Sequence, residues 1–161
     1  FAVTMANLSA RIFEATALGT SRFKRSRDYS ARALQLIQEH DPKMARARSL
    51  AQLVHYNLVM ATAAADDLAA ATKEMDQVVS LTAETPRELS LLAEAWCGLF
   101  AARTRAGAPG DAAHEAAMDA LERAVQAGYK GHDSLVNNDL LKPLRSDPRF
   151  VALVEALAPG D

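Results

Sequence analysis

Apolar residues recur along this chain at steps of three and four. Leu50, Leu53, Val54 and Leu58 fall on one stripe, and Leu68, Met75, Val78 and Val79 on another, the spacing of helices that bury one face. No stretch alternates apolar and polar residues as a half-buried strand would. Proline and glycine divide the periodic stretches. Pro42, Pro86 and Pro148 each stand ahead of one. A helix tolerates proline in its first turn, where the missing N–H has no partner within the helix. Asp41, Thr85 and Asp147 put a capping oxygen just before those prolines, and Glu88, three residues after Thr85, fits a capping box. These marks predict helices over 3–22, 28–40, 43–65, 66–83, 86–106, 111–128 and 148–158. The connections are short, so neighbouring helices should run antiparallel.

Composition supports helices that pack closely. Of 161 residues, 34 are alanine and only Ile12 and Ile37 are isoleucine, which disfavours a sheet built on β-branched residues. Apolar residues make up 50% and charged residues 24%, which excludes a disordered chain. No run approaches the roughly eighteen uninterrupted apolar residues of a membrane span, so no membrane insertion is expected. Between Tyr129 and Phe150 alanine disappears while Gly131, Asn137, Asn138, Pro143 and Pro148 accumulate. That stretch should be irregular, with short helical turns near Ser134–Val136 and Leu140–Leu144. Its Leu135, Leu140, Leu141, Leu144 and Phe150 predict that it is packed. The opening residues lack a basic segment followed by an apolar block, so they are not an intact signal peptide. With a single cysteine, Cys97, and no visible signal, a cytoplasmic location is expected; export after loss of an upstream signal is the alternative.

An internal repeat carries the most information. The 34 residues from Gln52 to Thr85 place Leu58 and Val59 in one helix, and Ala71, Met75 and Val78 as a small–large–small triplet in the next. Ala117, Leu121 and Ala124 repeat the triplet 46 residues later, preceded by Trp96, Cys97 and Phe100, with eight extra residues between the two helices' marks. One added turn on each helix would absorb them. Ser30, Leu34 and Ile37 make a poorer third copy ahead of Asp41-Pro42. The pattern resembles the tetratricopeptide repeat, and Tyr56-Asn57-Leu58 resembles a form common in its bacterial members. The departures are His55 at the usual tryptophan position, Thr62 at the tyrosine position and Ala83 at the proline position. The tail, with Gly128-Tyr129, Asp139-Leu140, Pro143-Leu144-Arg145 and Asp147-Pro148-Arg149-Phe150, looks like the segment that ends many bacterial arrays of this family. Some of those arrays are attached to serine/threonine kinases.

The resemblance implies an all-α chain of antiparallel helix pairs stacked as a short right-handed solenoid. One domain would span 1–161: a degenerate pair over 1–42, repeats over 43–85 and 86–128, and a capping tail over 129–161. A cap makes physical sense, because the last repeat of a solenoid has an apolar face and no successor to cover it. The resemblance also implies a non-catalytic scaffold that binds a peptide or partner protein in a groove, with Tyr56, Met60, Glu94 and Arg22 on that groove. The alternatives are a structural subunit of a larger assembly or homo-oligomer, and a regulatory appendage of an upstream signalling enzyme.

No motif argues for catalysis, and no metal or cofactor is expected. His40, His55, His114 and His132 show no ligand spacing. Cys97 sits among Trp96, Leu99 and Phe100 and reads as a small buried hydrophobe. Gly107-Ala-Pro-Gly110 lacks the lysine of a phosphate loop and reads as a turn. Asp66-Asp67 reads as a helix start, where the dipole favours negative charge. Charge is polarised. Residues 22–48 carry eight basic and three acidic side chains, whereas 49–128 carry five basic and eleven acidic. The basic patch of Arg22, Lys24, Arg25 and Arg27 points to an acidic partner protein. Only Phe23 and Tyr29 interleave it, so nucleic acid is not the expected partner.

Overall fold

The computed structural model describes residues 20–40 and 47–158, with side chains omitted at 20–27, 38 and 40. Among the described residues there are seven α-helices, one 3-10 helix and no strand. The chain divides into two compact units, Phe1–Thr82 and Ala83–Asp161.

The first unit holds α1 (Thr20–His40), α2 (Ala47–Ala64) and α3 (Leu68–Leu81). The sequence predicts a break between 22 and 28; instead α1 runs unbroken from Thr20. No proline or glycine lies between 20 and 40 to stop it. The rest of the predicted helix over 3–22 lies outside the described residues, as does the Asp41-Pro42 start signal. α2 packs against both α1 and α3. Two neighbours cover more than one face, and every residue from Asn57 to Ala63 is buried. Against α1, the packing gathers Ala33, Val54 and Leu58 with Leu34, Ile37 and Leu50. In the third triplet only Ser30 is fully buried; Leu34 and Ile37 are half-buried.

Three residues turn α2 into α3. Asp66, expected at the start of the next helix, adopts a left-handed φ of 58° after the last turn of α2. Its N–H donates to the Ala63 carbonyl at 3.2 Å, and the Asp67 N–H to the Thr62 carbonyl at 3.0 Å. These two bonds satisfy carbonyls that the helix end leaves open. Asp67 then caps α3, its carboxylate accepting from the Ala70 N–H at 3.1 Å. The return is antiparallel. Gln52 Nε2 near the start of α2 donates to Thr82 Oγ1 beyond the end of α3 at 2.9 Å. Ala71, Met75 and Val78 are buried. Val79, read as part of the same stripe, is instead 47% exposed, because it lies one position past the face those three share.

The second unit opens with α4 (Pro86–Arg105) and α5 (Asp111–Gln126). Thr85 caps α4, its Oγ1 accepting from the Glu88 N–H at 3.3 Å. Glu88 reaches back not to Thr85 but to the Ala83 N–H, at 2.8 Å. Gly107, at φ 67°, ends α4 with the same pair of backbone bonds as Asp66. The eight extra residues of this pair lengthen each helix by a little under one turn and also lengthen the connection. Three extend the end of α4, two lengthen the connection and three extend the start of α5. Alanines are buried on both helices: Ala93, Ala95 and Ala102 on α4, and Ala113, Ala117, Ala120 and Ala124 on α5.

The alanine-free stretch forms α6 (His132–Asn137) and the 3-10 helix (Asp139–Leu144), ahead of α7 (Pro148–Leu157). The 3-10 helix packs on α4 and α5, and α7 on α5 and α6. Leu135, Leu141, Leu144 and Phe150 are buried, as the sequence predicts; Leu140 is half-buried. Asp147 caps α7 by accepting from the Arg149 N–H at 2.8 Å.

Candidate functional site

Tyr56 and Met60 lie one turn apart on α2, and so on one side of it. Tyr56 is half-buried, whereas Met60 is only 5% exposed, within the run from Asn57 to Ala63 that is buried throughout. Glu94 lies in the second unit, on α4, half-buried, with its Oε1 accepting from Asn138 Nδ2 at 2.9 Å. That bond ties α4 to the residue that caps the 3-10 helix. The side chains of Arg22, Lys24, Arg25 and Arg27 lie outside the described residues; their backbone belongs to α1. Of the described groove candidates, Tyr56 and Glu94 therefore offer surface, one in each unit.

The residue before Tyr56 belongs to a pair that spacing does not reveal. His55 Nδ1 lies 2.6 Å from Glu74 Oε2, nineteen residues away on α3. Both side chains are largely covered, and the contact joins α2 to α3. Thr62 satisfies its buried hydroxyl locally, donating to the Leu58 carbonyl at 2.7 Å.

In the second unit Trp96 is half-buried and Cys97 is buried. Burial, and then the negative charge of Glu94, push the Cys97 thiol up to about 12. At neutral pH it is a protonated, inert thiol. His114 sets its ring edge-on to Phe100, with centroids 5.5 Å apart. Its Nδ1 lies 3.9 Å from carboxylate oxygens of both Glu115 and Asp147. Arg149 joins α7 to α5 through Glu115 at 2.8 Å and Asp119 at 3.7 Å, while also meeting its own cap Asp147 at 3.2 Å. The Arg149 backbone N–H, then its guanidinium, hold the Asp147 carboxyl below its ordinary value. Arg123 pairs with Glu84, and His132 Nδ1 lies 3.1 Å from its neighbour Asp133.

These ionic groups meet as pairs and as a helix clamp. Among the described residues no three His, Cys, Asp or Glu side chains are placed to hold a metal ion. Among them, too, no helix is long and apolar enough to cross a membrane. Compared with models of protein families, with curated proteins and with solved structures, the chain finds no match.

Proposed function

We propose that this chain is a non-catalytic binding module of the tetratricopeptide-repeat type that holds a peptide or partner protein on a surface including Tyr56. One observation carries the reading. The small–large–small triplet of Ala71, Met75 and Val78 recurs 46 residues later as Ala117, Leu121 and Ala124, and all six side chains are buried. In each case the triplet sits on the second helix of an antiparallel pair. Repeating one packing solution is how a helical-repeat array is built, and the surface such an array generates serves to hold another chain. The tail, with Leu141, Leu144 and Phe150 buried, is then the cap of the final pair. An acidic partner suits the cluster of Arg22, Lys24, Arg25 and Arg27. On this reading the chain works in the cytoplasm, where its one cysteine stays reduced.

A random-peptide display library panned against the purified chain tests the proposal. The expected result is enrichment of a shared motif rich in Asp and Glu. The Tyr56→Ala variant should lose about tenfold or more in affinity for that motif while keeping its helical circular dichroism. Failure to enrich any motif, or unchanged binding by the variant, would overturn the reading or the placement of its surface, respectively.

A further inference from the structure

We draw no further inference here: the strongest candidate, the apolar surface patch that Val151 on α7 and Val136 on α6 leave exposed in the second unit, carries nothing because nothing in the structure shows what covers it.

Discussion

Gly110 shows how a single position can be fixed by its neighbour and not by its own backbone. Its dihedral angles suit any residue, at φ −113° and ψ −13°. A Cβ there would nevertheless stand 2.8 Å from Phe100 Cδ2 and 2.9 Å from Cε2. The Phe100 ring is held in turn against His114, so it has little freedom to withdraw. Gly110→Ala should therefore destabilise the chain by about 1–3 kcal/mol, the range for overpacking. Adding Phe100→Leu should recover part of that loss, and denaturant unfolding of the double-mutant cycle measures the coupling. If Gly110→Ala unfolds like the parent chain, the contact does not constrain the turn. Cys97 gives a second test at this scale. With its thiol pushed up to about 12, only about one molecule in ten thousand carries a thiolate at pH 8. The folded chain should barely react with dithionitrobenzoate, and denaturant should release one thiol per chain. Rapid labelling of the native chain would show that Cys97 is not held in the buried site.

At the scale of the element, helix ends decide most of what is regular here. Asp147 does three things for α7: it caps the first turn, pairs with Arg149 and faces His114. Its carboxyl is held below the ordinary 3.8, so its contribution is fully present above that unfolded-state value and is lost as pH falls through the lower folded value. Asp147→Asn keeps a capping oxygen but removes the charge. Melting temperature should then fall less steeply below about pH 4 in the variant than in the parent. Parallel curves would mean that the charge of Asp147 contributes nothing. The same chemistry explains what could be read in advance. Proline after a capping residue located the starts of α4 and α7 to the residue, because both groups act locally on the first turn. Asp66 misled because an aspartate next to another aspartate resembles a cap, and nothing local reveals that it takes the left-handed position usually filled by glycine. The start of α1 differs from the expected break between 22 and 28 because no residue there interrupts a helix. For the candidate site, Tyr56 and Met60 share a helix face that sequence can name. That Met60 is covered depends on tertiary packing, which no spacing within α2 encodes.

At the scale of the whole molecule, the abundance of alanine has two causes that mutation can separate. Some alanines set the distance between paired helices. Ala71 and Ala117 are fully buried, each in the second helix of its pair. Others only favour helix, since alanine restricts no side-chain freedom. Ala69 and Ala112 are exposed neighbours on the same two helices. Leucine is nearly as good a helix former as alanine, so replacing alanine by leucine changes volume and leaves helix preference almost untouched. Ala71→Leu and Ala117→Leu should each destabilise the chain by about 1–3 kcal/mol, because three added carbons have no space between close-packed helices. Ala69→Leu and Ala112→Leu should stay within about 0.5 kcal/mol of the parent. Urea unfolding of the four single variants measures the contrast. Because Ala71 lies in Phe1–Thr82 and Ala117 in Ala83–Asp161, the experiment samples both units with one type of substitution. Equal costs at buried and exposed positions would mean that alanine is present for helix preference alone. The recurrence of the triplet would then say nothing about how the helices pack, and the case for a repeat would lose its physical basis.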